Sequence, residues 1–385
     1  MEIYLVGGAV RDRLLGLPVH ERDWVVVGAG PQEMLDLGYK QVGKDFPVFL
    51  HPDTKEEYAL ARTERKTGPG YKGFAFHADP GVTLEQDLLR RDLTINAMAE
   101  NAAGDIIDPY GGQEDLAAGR LRHVSPAFAE DPVRILRVAR FAARLGKWGF
   151  SVAHGTNALM RKMVADGEVD HLVPERVWTE LSRALASDNP ERFFSVLHGC
   201  HALTVLFPEI EREYGAQDAH ARQLPSPLLQ LQACARESDD PQVRFAVLML
   251  SLGTGLDTDR RLQQVDDLCR RYRLPNDYTR LATLGVRMAE RIDRREAGNL
   301  LEIMDAAGAF RDPGRWRQLL DVYRFGGLIN PEYAAQLETA RDRASAVTAA
   351  SIDDASLQGP ALGRAIQEAR RRLIATLVPA THPPQ

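Results

Sequence analysis

The chain has 385 residues, of which 44% are hydrophobic and 26% charged, with a formal net charge of −6. That length accommodates two or three domains with a real core, and the acidic balance argues against indiscriminate binding along nucleic acid while leaving room for a local basic groove. No run approaches the roughly 18 apolar residues of a membrane span. Met1-Glu2-Ile3-Tyr4 lacks the basic-then-apolar layout of a signal peptide, and the three cysteines (Cys200, Cys234, Cys269) are far apart with no metal-ligand spacing, so a reduced cytoplasm is the expected home.

From Glu2 to about Ile107 the pattern is mixed α/β. Apolar runs rich in β-formers (Ile3–Val6, Trp24–Val27, Val48–Leu50, Tyr58–Ala61) alternate with helical periodicity (Val10–Leu15, Gln32–Leu37, Leu84–Arg91). Val6-Gly7-Gly8-Ala9-Val10-Arg11 places two glycines between a strand and a helix. There, main-chain N–H groups and the helix N-terminus can approach a phosphate, and Arg11 can add a charge-assisted bond. A Gly-Gly turn alone is more often an ordinary strand–helix turn.

Glu21-Arg22-Asp23 shifts that balance. In a strand, i and i+2 share a face, so Glu21 and Asp23 are expected to project together with Arg22 pointing away. Paired carboxylates suit Mg²⁺ beside a nucleotide triphosphate; the competing reading is a solvated turn with two surface acids. A third carboxylate is expected on a neighbouring strand, with Glu57 the candidate and Glu56 and Glu64 competing.

Arg90-Arg91-Asp92-Leu93-Thr94-Ile95-Asn96-Ala97 gathers cations, an acid, a hydroxyl and an amide into what reads as two helical turns. Arg91 can hold phosphate while Asp92 and Asn96 hold ribose hydroxyls, or the set can be a capped, ion-paired helix. Past Asp108-Pro109-Tyr110 the character changes, and from Glu130 onward β-type alternation gives way to helical periodicity. In Glu130-Asp131-Pro132-Val133-Arg134, Asp131 or Glu130 is the expected N-cap and Pro132 the expected first helical residue. Arg134, Arg137, Arg140 and Arg144 then recur at helical spacing. Such a row is usually a solvated face, but it can also clamp a triphosphate and read a base. Cytosine and adenine both offer an amino donor beside a ring-nitrogen acceptor, so a carboxylate (Asp131) with an arginine (Arg134) would admit C and A and reject U and G.

The order of these motifs, from Leu5-Val6-Gly7-Gly8 through Glu57-Tyr58-Ala59-Leu60-Ala61-Arg62 to Pro174-Glu175-Arg176-Val177-Trp178, resembles the class II tRNA nucleotidyltransferases, or CCA-adding enzymes, of the polymerase-β superfamily. The resemblance covers about the first 210 residues. It implies an α/β nucleotidyltransferase head (mixed sheet with helices) followed by an all-α neck, body and tail. The corresponding segments are a catalytic head over 1–125, a base-reading and RNA-binding neck over 126–210, and a body and tail over 211–385. It implies addition of C, C and A to the 3′ end of tRNA from CTP and ATP with Mg²⁺, by a monomer or weak homodimer. It carries over nucleotide contacts for Gly8, Arg11, Arg91, Arg137 and Arg140, metal binding for Glu21 and Asp23, and base reading for Asp131 and Arg134. A poly(A) polymerase, an enzyme adding only C or only A, and a tRNA-binding pseudoenzyme are the alternatives.

Two departures stand out. The family pattern has Asp-x-Asp where this chain has Glu21-Arg22-Asp23. In the body, the positions of an HD phosphohydrolase His-Asp pair are Leu250 and Ser251, and no histidine lies between His220 and His382. The 211–385 region is therefore expected to be a degenerate HD-like remnant without that activity, with a loop-rich connector from Tyr214 to Pro241. Basic clusters at Arg161-Lys162, Arg364 and Arg370-Arg371-Arg372 either track RNA or are solvated faces.

Overall fold

The computed structural model describes residues 1–42, 48–66, 74–77, 79–215, 224–292, 294–353 and 356–378. The four apolar runs become strands β1 (Glu2–Val6), β2 (Asp23–Val27), β4 (Val48–Leu50) and β5 (Glu57–Leu60), and the polar Lys40–Val42 adds β3. A separate hairpin follows, β6 (Thr63–Lys66) with β7 (Phe74–His77), and then β8 (Ala99–Glu100) and β9 (Ile106–Ile107). Seven of these form one sheet in the order β3-β4-β5-β2-β1-β8-β9. Its pairings are antiparallel except β2 with β5, whose parallel register sets Asp23 opposite Glu57 and Trp24 opposite Tyr58.

The strand period of two explains how the sheet is covered on both faces. Val6 and Val25 pack with Leu84 and Leu88 of α3 (Leu84–Leu89), whereas Val26 packs with Met34 of α2 (Pro31–Asp36), Phe49 and Tyr58. Leu5 meets Ala9 and Val10 of α1 (Gly8–Leu14). The Trp24 and Tyr58 rings stack at 5.5 Å across the parallel register.

Strand β2 begins at Asp23, so Glu21 lies in the irregular segment before it rather than on a shared strand face. Likewise Arg90 to Asn96 is not two turns of α-helix. The helix α3 stops at Leu89 and a single 3₁₀ turn covers Thr94–Asn96, because Leu93 takes up extended backbone and bridges to His123. Helix α4 (Gly112–Ala117) packs against that turn. An added Cβ on Gly112 would lie 2.4 Å from the Thr94 carbonyl oxygen, so a side chain there would push the two apart.

The chain forms two compact units, residues 1–184 with 192–206, and residues 185–191 with 207–385. The first carries the sheet and α5 (Val133–Arg144), α6 (His154–Ala165) and most of α7 (Pro174–Leu185). Among the described residues β-structure persists past Glu130 in one place: Ser151–Val152 pairs in parallel with Arg120–Leu121. Two residues are too short to show period-two alternation, which hides them in the sequence.

The second unit is helical among the described residues. Where the sequence reads as a loop-rich connector, Ser226–Glu237 is an α-helix burying Leu228, Leu231 and Cys234. Pro225 and Pro227 only look like breakers. At the start of a helix a proline lacks an N–H that would have had no partner anyway. The helix Pro241–Ser251 is buried almost all round and packs against Ser226–Glu237, Asn276–Ile292 and Pro313–Phe325. Leu250 lies against Gly326, and the Ser251 hydroxyl bonds Gln230 and the Val247 carbonyl oxygen at 2.8 Å. Both positions of the expected His-Asp pair thus serve packing.

Candidate active site

The glycine turn is built as its sequence requires. Gly7 has φ +70°, its N–H donates to the Met98 carbonyl oxygen at 3.1 Å, and an added Cβ would lie 2.8 Å from Arg91 Nη1. Only glycine meets both the positive φ and the close approach of the guanidinium. Gly8 opens α1, and Arg11 follows one turn later, 2% exposed.

Arg11 stands at the centre of a chain of ion pairs and hydrogen bonds. Its Nε and Nη2 donate to Asp12 Oδ1 at 2.9 and 2.7 Å, and its Nη1 donates to Asn96 Oδ1 at 2.5 Å. Arg144 donates to the other oxygen of Asp12 at 2.8 Å. Asn96 Nδ2 donates to Asp92 Oδ1 at 3.0 Å, and Arg137 Nε donates to Asp92 Oδ2 at 2.6 Å. Arg140 donates to Glu180 of α7 at 2.5 Å. The Phe141 ring lies under Arg11 and Arg140, at 5.0 and 4.3 Å from ring centroid to guanidinium carbon. Three segments distant in sequence, around residues 11, 92 to 96 and 137 to 144, therefore meet in one network.

Charge states follow from this. Burial lowers the pKa of Arg11 and outweighs the opposing pull of Asp12. Burial alone would raise Asp92, but Arg137 and the hydrogen bond from Asn96 hold its carboxyl well below the usual range. Asp92 in turn raises Arg137, more than burial lowers it. The row of arginines is not a solvated face: Arg134 and Arg140 are buried, and every member of it is partnered.

Arg91 pairs with Asp87, at 3.2 Å, and so does Arg90, at 2.6 Å. Asp87 is completely buried. Sequence reasoning missed it; a lone acid three and four residues before two arginines at helical spacing was the available signal.

At the start of α5 the N-cap is Pro132 rather than an acid, and Asp131, one residue earlier, accepts from the Val133 N–H through Oδ1 at 3.1 Å. Its main partner is Arg176, which forms a two-bond fork at 3.0 and 2.7 Å. Arg134 meets Asp131 through the backbone, its N–H donating to the Asp131 carbonyl oxygen at 3.0 Å. Its Nη1 and Nη2 donate to the carbonyl oxygens of Ala127 and Arg90 at 3.1 and 2.6 Å, which fixes the plane of the guanidinium. Arg176 and Glu180, one helical turn apart on α7, hold Asp131 and Arg140 respectively.

Glu21, Asp23 and Glu57 are all exposed at one end of the sheet. Partial burial raises the pKa of Asp23; Arg91 pulls it down, and the neighbouring charge of Glu21 pushes it up. Glu56 is otherwise engaged, accepting from the Trp24 indole at 3.0 Å and Arg22 at 3.4 Å. The side chain of Glu64 lies outside the described residues. Among the described residues no three acidic, histidine or cysteine side chains gather closely enough to hold an ion by themselves. Carboxylate oxygens at a site where two acids repel are nonetheless the donor chemistry that a hard divalent cation relieves.

Of the other basic groups singled out in the sequence, Arg364 is exposed with no side-chain partner among the described residues, and the rest are partnered within the chain. Arg161 donates to the Gly199 carbonyl oxygen, Lys162 pairs with Asp166, Arg370 caps the carbonyls of Ala344 and Val347, and Arg371 and Arg372 share Glu368. The three cysteines are unpaired and buried. No helix among the described residues is long and apolar enough to cross a membrane.

Residues 3–122 match the family described as "Poly A polymerase head domain", and residues 149–214 match "Probable RNA and SrmB- binding site of polymerase A". The fold is similar to that of the Bacillus stearothermophilus CCA-adding enzyme in complex with CTP (TM-score 0.64, 22% identity, 98% of this chain and 90% of that one). It is also similar to the Thermotoga maritima CCA-adding enzyme complexed with tRNA_CCA (TM-score 0.59, 23% identity, 100% and 88%). A mixed sheet bearing a Gly-Gly turn, an acidic strand end and arginines returned from following helices defines a polymerase-β-type nucleotidyltransferase, a class whose chemistry implies a divalent metal.

The full-length similarity narrows the class. The chain is 51% identical to the multifunctional CCA protein of Thioalkalivibrio sulfidiphilus over 96% of its own length and 97% of the relative's. It is 49% identical to that of Pseudomonas aeruginosa over 96% and 97%. It belongs to the multifunctional CCA protein family of class II CCA-adding enzymes.

Proposed function

We propose that this chain adds C, C and A, without a template, to the 3′ end of tRNA, using CTP and ATP with Mg²⁺ in the cytoplasm as a monomer or weak homodimer. In this reading residues 1–125 are the catalytic head, 126–210 read the nucleobase and hold RNA, and 211–385 form a body and tail. The observation that carries it is the convergence of Arg11, Arg137 and Arg140 with the glycine turn in one partly buried network.

The tRNA 3′-hydroxyl oxygen attacks the α-phosphorus, forming a new P–O bond as the bond to pyrophosphate breaks. Gly8 and Arg11, with Arg91, Arg137 and Arg140, are assigned to the triphosphate. Guanidinium groups already held near carboxylates of fixed position carry little reorganisation cost when phosphate oxygens take over part of that role. Asp92 and Asn96 are assigned to orienting those arginines and the ribose. Glu21 and Asp23, with Glu57 in register beside Asp23, would hold Mg²⁺, which when bound supplies a Lewis acid that activates the hydroxyl and neutralises the leaving pyrophosphate.

Base selection falls to Asp131 and Arg134. Asp131 Oδ1 is taken by Arg176 and the Val133 N–H, whereas Oδ2 accepts from Arg176 and retains a second lone pair for the amino group of C or A. Arg134, fixed by two carbonyls, is assigned to donate to the ring nitrogen. A wrong base leaves polar groups mismatched in a buried site, which discriminates strongly.

The deciding assay uses purified protein, tRNA lacking its 3′ end, Mg²⁺ or Mn²⁺, and nucleotides singly and in pairs. Stepwise C, C, A supports the proposal. Long A tails on generic RNA indicate a poly(A) polymerase, a single C or A a partial enzyme, and no incorporation with either metal a binding protein. Asp131→Ala is expected to let UTP or GTP compete, and unchanged selectivity in competition assays would refute the base-reading assignment.

A further inference from the structure

The helical unit of residues 185–191 and 207–385 holds a cavity of about 620 Å³ that has no part in the reading above. One wall is a face of the helix Asn276–Ile292. Asp277, Arg280, Leu284 and Arg287 follow one another at three- and four-residue steps, so they lie in a row. The opposite side of the same helix is committed to the core through Val286, Met288, Ala289 and Ile292. The start of the helix Pro313–Phe325 brings Arg315, and Gln318 and Gln242 complete the polar lining.

Two properties of these side chains, taken together in one cavity, suit a ligand. First, the charge of Arg280 and Arg287 is not spent internally. Arg280 and Arg287 are exposed and form no ion pair or side-chain hydrogen bond among the described residues, and Arg315 has only Asp277, at 3.7 Å. By contrast, Arg244, Arg271, Arg324, Arg341 and Arg370 of the same unit are all engaged. Second, the arginines are mixed with neutral hydrogen-bonding groups and apolar surface. Gln318 Nε2 donates to Asp240 at 2.7 Å and to Gln242 Oε1 at 3.4 Å, so Gln318 Oε1 and Gln242 Nε2 stand together as an acceptor and a donor not used by the protein. Leu284 and Ala306 supply apolar wall.

We propose that this cavity is a second nucleotide-binding site, for a nucleoside diphosphate or a ligand containing one. Arg280, Arg287 and Arg315 match the phosphate charges. Asp277 and Asp312 accept from ribose hydroxyls, and the two glutamines meet a nucleobase edge against Leu284 and Ala306. The volume lies within the range of small-molecule pockets. Three arginines offset by Asp277 and Asp312 within one bounded cavity suit a ligand with two phosphates better than a backbone that repeats its charge at every nucleotide. The site does not depend on the chemistry assigned to the sheet, and the test reads it at a different place in the chain.

Hydrogen–deuterium exchange on the full-length protein locates binding directly. With saturating ADP as the probe, amides of residues 276–292 and 313–318 are expected to exchange more slowly. In an Arg280→Gln/Arg287→Gln double variant that protection is expected to need about 100-fold more ADP, from the loss of two charge-assisted contacts. Protection around residues 7 to 11 and nucleotide incorporation should stay as in the wild type, and an unchanged melting temperature shows that the exposed substitutions leave the fold intact. Absence of protection by ADP overturns the proposal, as does protection that survives in the double variant. Equal protection by pyrophosphate or ribose 5-phosphate overturns the nucleotide assignment, and protection by tRNA alone makes the groove an RNA surface instead.

Discussion

Arg11 and Arg244 are almost equally buried, at 2% and 1% exposure, yet they are satisfied in opposite ways. Arg11, in the sheet-bearing unit, is held by the side chains of Asp12 and Asn96. Arg244, in the helical unit, is held mainly by backbone. Its guanidinium donates to the carbonyl oxygens of Leu185, Ser187, Ala235 and Ser238, at 2.7 to 3.1 Å. A guanidinium resting on carboxylates can trade one anion for another at modest cost. One resting on main-chain carbonyls cannot move without leaving several acceptors dry. Burial of an arginine therefore says little about function until its acceptors are known.

The contrast yields a graded set of expectations. Arg244→Met should have the largest effect on folding. Four carbonyls lose their donor at ~1 kcal/mol or more each, so urea unfolding should show a loss of about 4 kcal/mol while the surviving folded fraction keeps its specific activity. Arg11→Met should reverse the pattern. Asp12 keeps Arg144, so stability should fall by only about 1–3 kcal/mol, whereas incorporation should drop ~100-fold or more if the guanidinium stabilises developing phosphate charge. Equal stability losses in the two variants would erase the distinction.

Asp92→Asn tests the network through pH. Because the folded carboxyl lies below its ordinary value of 3.8, its contribution to stability is full above that value and drains away as pH falls towards the folded pKa. Melting temperatures measured from about pH 5 to pH 3 should fall for the wild type, and the variant should lose that part of the slope. The smallest change is expected from Glu21→Asp. The carboxylates at the sheet's end are exposed, and shortening one by a methylene should alter turnover by roughly fivefold, or about 1 kcal/mol, in parallel Mg²⁺ and Mn²⁺ assays. An identical rate would show that the longer side chain is accommodated without loss.

Much of the architecture was legible because it rests on local rules. Val48–Leu50 and most of β1, β2 and β5 follow from apolar runs of β-formers, and the positive φ of Gly7 follows from a strand running straight into a helix. Pro132 and Asp131 mark the start of α5 to within a residue, because helix starts are set by local chain chemistry, although the proline rather than the acid is the N-cap. The helix at Ser226–Glu237 was obscured by its prolines, since composition alone does not distinguish a proline that opens a helix from one that breaks it. Arginines at 134, 137, 140 and 144 were visible as a row, but their periodicity did not say whether the row faced water.

The sequence by itself determined which groups were available: a Gly-Gly turn after an apolar run, Glu21 and Asp23 two residues apart, and Asp131 three residues before Arg134. It also determined that Leu250 and Ser251 are not a metal-binding pair. Only the tertiary structure decided the partners. Asp131 is forked by Arg176, Arg140 donates a single bond to Glu180, and Arg11 is shared between Asp12 and Asn96, across separations from one residue to 85. The physical reason is that a hydrogen bond is chosen by distance and angle within a few tenths of an ångström. Sequence order supplies neither for segments that meet only when the chain has folded.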